Sequence, residues 1–194
     1  MGKMRKTIAM VLVATAVTAG TASAQASRAH TARATVSVGG QAMLPTRDIV
    51  DNAVNSADHT TLVAAVKAAD LVTTLKGRGP FTVFAPVNDA FENLPEGTVE
   101  TLLRPENKAA LAGVLTYHVV PGRYTAADLM RLIRQGNGSA TLRTASGGTL
   151  TAMMNGPMNV VVRDAKGGVA NVTTYDVTQS NGVIHVINKV LLPR

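Results

Sequence analysis

Two histidines stand inside short apolar runs, His118 in Tyr117-His118-Val119-Val120 and His185 in Val183-Ile184-His185-Val186-Ile187. An imidazole in either place has the chemistry of a general base or a metal ligand. No acidic residue accompanies either one at ligand spacing, and the other two histidines supply no third ligand: His30 lies in a Ser-, Thr- and Ala-rich stretch and His59 beside a helix start. The pattern favours core histidines satisfied by hydrogen bonds, because a buried imidazole needs partners whatever its function. Asn88-Asp89 offers cation-binding oxygens, but it follows a strand and opens a helix, where capping is the better reading. Tyr117 is open between an exposed anchor for a partner and a structural tyrosine bridging helix and strand. Asp176, ahead of a Gly-containing turn, organises that turn or faces a partner.

The catalytic signatures that a sequence can display are not in this one. There is no Gly-x-Ser-x-Gly elbow, no His-Glu-x-x-His helix, no phosphate loop and no cysteine. Carboxylate pairs for glycoside hydrolysis meet in space without sequence proximity, which keeps an envelope hydrolase as a distant reading, with His118 and His185 its only named candidates. The expectation is a protein that is not an enzyme, with no metal and no cofactor.

These residues are held by elements organised around Gly79 to Phe91, which contains all three phenylalanines, Phe81, Phe84 and Phe91, of a chain without tryptophan. Much of the bulky packing must centre there. Phe81 to Phe84 alternates like a buried strand and Pro86 stops it before Asn88 or Asp89 caps a helix. Upstream, Ile49, Val50, Ala53 and Val54 share a helical face behind Asp48, and Leu62, Val63, Val66 and Ala69 share another. Downstream, Glu106 to Thr116 and Thr125 to Ile133 read as amphipathic helices, with a short strand at Tyr117 to Val120 between them. From Gly136 the pattern turns to β alternation, with strands at Ala140 to Thr144, Thr149 to Met153, Met158 to Arg163, Val169 to Tyr175 and Val183 to Leu192. Gly147-Gly148, Asn155-Gly156 and Gly167-Gly168 supply turns between them. A helical first half feeding a β-rich second half is an α+β fold.

The N-terminus adds a compartment. Lys3, Arg5 and Lys6 precede an apolar run from Ile8 to Ala19 and an Ala22-Ser23-Ala24 cleavage pattern, so residues 1–24 read as a secretory signal peptide cleaved near Ala24. Residues 25–44 read as a flexible leader and 45–194 as the domain. The signal holds three of the 19 Lys and Arg, leaving sixteen against 12 Asp and Glu, a net of +4. Those charges look scattered and no aromatics interleave with them, which argues against nucleic acid. The expected location is secreted or periplasmic, with membrane contact only through the cleaved signal. With Pro193-Arg194 directly after the last strand, no sorting signal or second span is expected to anchor the chain.

Three blocks carry a family resemblance. Gly79-Pro80-Phe81-Thr82-Val83-Phe84-Ala85-Pro86-Val87-Asn88-Asp89-Ala90-Phe91 resembles the first signature block of the fasciclin domain family. Thr116 to Gly122 resembles its tyrosine-histidine motif, and Ser180-Asn181-Gly182-Val183-Ile184-His185-Val186-Ile187-Asn188 onward to Pro193 its closing block. Phe81, Phe84, Pro86, Asn88, Asp89, Phe91, Asn181, Gly182 and His185 are the structural positions of these blocks. The resemblance implies a wedge of two small β-sheets, about seven strands in all, flanked by several helices. It also implies an extracellular adhesion module that contacts a protein or glycan at a cell surface or matrix, with weak self-association open to it. In some animal members the tyrosine-histidine motif and an Asp-Ile pair are tied to integrin binding. Tyr117 and His118 match the first, and Asp176 and Val177 fall on the second with isoleucine shortened to valine. Fasciclin-like proteins of photosynthetic organisms that carry carotenoids imply an alternative, a carrier of a pigment or lipid in a groove near Met130, Met153, Met154 and Met158.

Overall fold

A computed structural model describes residues 35–194; the expected signal peptide, His30 and the first part of the expected leader lie outside them. The described chain opens with a hairpin of β1 (Val36–Val38) and β2 (Gln41–Met43). This corrects the sequence reading, which took these residues as leader. Val38 and Met43 are buried, and that burial stabilises strands too short for alternation to reveal. Helices α1 (Ile49–Ala53), α2 (Thr60–Ala68) and α3 (Val72–Leu75) bring the chain to β3 (Phe81–Pro86). Then follow α4 (Asn88–Glu92), α5 (Thr98–Leu102), α6 (Lys108–Tyr117), β4 (Val119–Pro121) and α7 (Ala126–Gln135). The β-rich half comprises β5 (Ser139–Arg143), β6 (Thr149–Met154), β7 (Val160–Arg163), β8 (Val169–Gln179) and β9 (Gly182–Ile187).

Strands β3 to β9 form one seven-stranded sheet in the order β4-β3-β9-β8-β7-β6-β5. Pairing is antiparallel except between β3 and β9, which run parallel with Phe81 opposite Gly182 and Pro86 opposite Ile187. The long strand β8 belongs to both halves: Val169 to Asn171 pair with β7, and the segment from Val172 to Gln179 pairs with β9 through register shifts around Thr174. Such bulges bend a strand, and β8 here joins a β4-β3-β9-β8 part and a β8-β7-β6-β5 part into one seven-stranded sheet, where the resemblance implied a wedge of two small sheets.

Two hydrophobic cores flank the β3–β9 pair. Val83, Ala85, Ile184 and Val186 enter the first with α1, α2, α4 and α6; Phe84 and Ile187 enter the second with α7 and the inward residues of β5 to β8. Helix α7 shows why these segments fold as they do. Thr125 and Asp128 form a reciprocal capping box, Leu129 and Ile133 face the core, and Gly136 ends the helix where a Cβ would lie 2.0 Å from the Ser139 carbonyl.

Three local expectations change. The last strand ends at Ile187, and the backbone N–H groups of Leu191 and Leu192 go to side chains instead of a strand partner. Tyr117 closes helix α6 instead of opening a strand. Asn88 does not cap α4: its Oδ1 accepts from Thr61 N at 3.0 Å and Thr60 Oγ1 at 3.1 Å, so it caps α2 from another element. Asp89 sits exposed in the first turn of α4, the favourable end for an acid.

The turn before β9 ties the ends of the domain together. Asn181 Oδ1 accepts from Ile49 N at 3.1 Å, its Nδ2 donates to the Leu75 and Gly77 carbonyls at 2.8 and 3.0 Å, and its carbonyl accepts from Phe81 N at 3.0 Å. Gly182 follows because a Cβ there would stand 2.3 Å from the Phe81 carbonyl. Replacing Asn181 with Ala removes three side-chain hydrogen bonds and leaves buried backbone groups unpaired, a loss of about 3 kcal/mol. Urea unfolding measures this; a midpoint unchanged from wild type would refute the role assigned to Asn181.

Candidate functional site

The residues singled out from the sequence fall into two groups, both centred on the sheet. In the first, Tyr117 is 1% exposed. Its hydroxyl donates to the Thr149 carbonyl at 2.6 Å and accepts from Ala165 N at 3.0 Å, joining α6 to β6 and to the turn between β7 and β8. The open choice between anchor and bridge thus resolves to the bridge. His118, next along the chain and also buried, accepts from Leu191 N at Nε2, 2.9 Å away. With Nε2 accepting, Nδ1 carries the proton and donates to the Val114 carbonyl at 2.8 Å. Asp164 completes this group: Oδ1 accepts from Lys166 N and Gly168 N within the β7–β8 turn, and Oδ2 accepts from Leu192 N at 3.0 Å. His118 and Asp164 together fasten the tail after β9, and Tyr117 holds the turn that carries Asp164. The sequence reading missed Asp164, whose signal is an acid just before a Gly-Gly turn.

The second group surrounds His185. This ring is fully buried and stacked on Phe84, with centroids 5.7 Å apart, and Tyr175 meets it edge-on. Nε2 donates to the Tyr124 carbonyl at 2.8 Å and Nδ1 accepts from Asp176 N at 3.4 Å, the tautomer opposite to that of His118. Asp176 has φ +55° in the irregular part of β8, a conformation that Asp tolerates better than most residues. Its Oδ1 accepts from Ala126 N, the first residue of α7, at 2.8 Å. Thr82, buried in β3, also holds this region: it donates to the Gly122 carbonyl at 2.8 Å and accepts from Tyr124 N at 2.9 Å. A threonine in an otherwise apolar buried strand was the available sign of it.

Of the four residues expected to contact a partner, Tyr117, His118 and Val177 are therefore interior, and Asp176 alone is half-buried at the surface. Beside it lie the part-exposed Arg123, Tyr124 and Thr178. The methionines do not share one place: Met130 and Met154 pack against the second core while Met158 is 69% exposed. Asn188 accepts from Asn171 N on β8 at 2.8 Å.

Burial shifts the imidazoles. His118 is pushed down to about 4, opposed only partly by its bond to Val114 and by the Asp164 charge, and burial also lowers His59 and His185. Protonating His118 would turn Nε2 into a donor facing the Leu191 N–H. Because the folded pKa lies below the unfolded one, near 6.5, the unfolded chain takes up protons first as pH falls. Stability is full above that value and declines until the folded group titrates. His118 alone contributes a loss of about 2 kcal/mol by about pH 5, approaching about 3 kcal/mol at the plateau. Urea midpoints at neutral pH and near pH 5 test this, and equal midpoints would contradict it.

A family model for the fasciclin domain matches residues 57–193. Protein sll1483 of Synechocystis is 51% identical over 147 residues, 75% of this chain and 73% of that protein. Human periostin is 32% identical over 136 residues, 70% of this chain but 15% of periostin. In structure the chain is similar to a FAS1 domain pair from the insect cell adhesion molecule fasciclin I, with TM-score 0.67 and 22% identity over 77% of this chain and 52% of that one.

Proposed function

The chain belongs to the fasciclin domain family, and from that premise we propose that it is an exported, non-catalytic adhesion module that contacts a protein or glycan at a cell surface or matrix. The similarity to a domain pair of an insect cell adhesion molecule supports the class of function. The observation that carries the reading is the fate of the motif side chains. Tyr117, His118, Asn181 and His185 all turn inward, and each is hydrogen-bonded to backbone of another element. Groups so engaged stiffen a frame, and recognition then falls to what the frame displays.

The displayed part of this region is the β8 bulge with the β4–α7 loop: Asp176, Thr178, Arg123 and Tyr124. The loop is held rigid by Thr82 and His185, and a preformed surface loses little entropy on binding. A tyrosine and an arginine beside a carboxylate are residue types that dominate contact energies. One domain offers one such contact, so useful adhesion needs several copies acting together.

Asp176→Asn tests the surface. Asparagine tolerates the left-handed backbone and still accepts from Ala126 N, so the substitution removes charge and little else. Binding of immobilised protein to cells or matrix should drop about tenfold, as for loss of a charged contact of about 1.4 kcal/mol, with the melting temperature nearly unchanged. Tyr124→Ala should weaken binding in the same assay. Wild-type binding by both variants would remove this surface from consideration.

A further inference from the structure

The folded chain separates charges that look scattered in sequence. From residue 45 to 122 there are nine acids and six bases; from 123 to 194 there are three acids and eight bases. Of those last three acids, Asp164 is buried under the tail, Asp176 is bonded to α7, and Asp128 is engaged with Thr125 and Arg131. The outer face of β5 to β8 consequently carries no exposed acid.

That face is built in register. Thr141 on β5 lies opposite Thr151 on β6, which lies opposite Arg163 on β7, which lies opposite Val169 on β8; Arg143 lies opposite Thr149 in the next row. Leu142, Leu150, Val162 and Ala170 point the other way into the second core, where α7 covers them. Arg143, Arg163 and Lys166 in the adjoining turn are exposed, and no ion pair among the described residues includes them. Strand spacing puts the two arginines about 12 Å apart across β6, with threonine hydroxyls between them.

The helical half presents the complement. Glu92, Glu96 and Glu100 line an open groove of about 320 Å³ between α4 and α5, and they too are absent from the ion pairs of the described residues. The groove and the sheet face sit on elements packed around different cores, and no ion pair among the described residues joins one to the other.

We infer that the protein associates with itself head to tail, the Arg143–Arg163 sheet face of one copy docking on the Glu92–Glu96–Glu100 groove of the next. Each docked copy leaves one sheet face and one groove open, so the contact is heterologous and propagates instead of closing. The four-stranded face covers about 300 Å², well below the ~800 Å² per partner of a stable complex. The contact is accordingly weak, electrostatic and screened by salt. It supplies the multiple copies that adhesion by a single domain requires, yet it holds whether or not the Asp176 surface binds anything.

Sedimentation of the protein at about 20 mM and about 500 mM salt tests the inference, since screening differs several-fold between them. At low salt the average mass should rise with concentration past two chains, and at high salt it should return to the monomer. Arg143→Gln with Arg163→Gln, and separately Glu96→Gln with Glu100→Gln, should each be monomeric with wild-type melting temperatures. An equal mixture of the two double variants joins the intact sheet face of one to the intact groove of the other, and should give a two-chain species and nothing larger. Wild-type protein that stays monomeric at low salt, or stops at two chains, would overturn the arrangement. So would double variants that assemble as wild type does, or a monomeric wild type whose sheet face instead retains an acidic polysaccharide.

Discussion

Parallel pairing of β3 with β9 brings Phe81 opposite Gly182 and Pro86 opposite Ile187, joining strands from the two halves of the chain. Both strands are almost wholly buried, so their side chains alternate into different cores and no face is left for water. A parallel pair cannot close through a hairpin; it needs a crossover, and here everything from α4 to β8 is that crossover. The cost of bringing such distant segments together is entropic and is offset only when both cores have formed. The Asn181-Gly182 turn fixes the register at one end, through Asn181 bonds to α1, to the turn after α3 and to β3. At the other end Val87 N donates to the Ile187 carbonyl.

The same constraint explains the polar residues of the motif blocks. A buried strand pair exposes few backbone groups to water, but the segments that enter and leave it have unpaired N–H and C=O groups in the interior. His118, Asp164 and His185 meet those groups, and the two histidines take opposite tautomers because the backbone atoms they meet demand it. Such networks specify one arrangement strongly when every member is satisfied. They also make the fold acid-sensitive, since a second proton on either ring replaces an acceptor with a donor.

Much of the fold was legible because its signals are local. The alternation in β5 to β8, the Gly-Gly turns and the helical spacing of Thr125 to Ile133 each show within a few residues. What the sequence hid depends on contacts between distant segments. Val36 to Val38 look like leader until Met43 and the β9 side of the first core cover them. Asn88 looks like a cap for its own helix because it stands at a strand–helix junction, while its real acceptor role is toward Thr60 and Thr61. Tyr117 had two readings from sequence, and only the positions of Thr149 and Ala165 decide between them. The site was less legible than the fold for the same reason: the motif residues carry side chains able to meet a partner, and only their distant backbone contacts show that most of them hold the frame.

The charge pattern shows the limit from the other side. Read along the chain, Arg143, Arg163 and Lys166 are ordinary surface residues spaced among threonines and valines. Strand register places the two arginines on one face, and the burial of Asp164 removes the carboxylate that sequence proximity would have paired with them. Surface electrostatics are thus a product of topology, because folding decides which acids face water. Where the motif polar groups are committed inward, what the domain presents outward is the β8 bulge, held stiff from beneath by Thr82 and His185, and an acid-free sheet face fixed by register. Both are outward consequences of the buried strand pair at the centre.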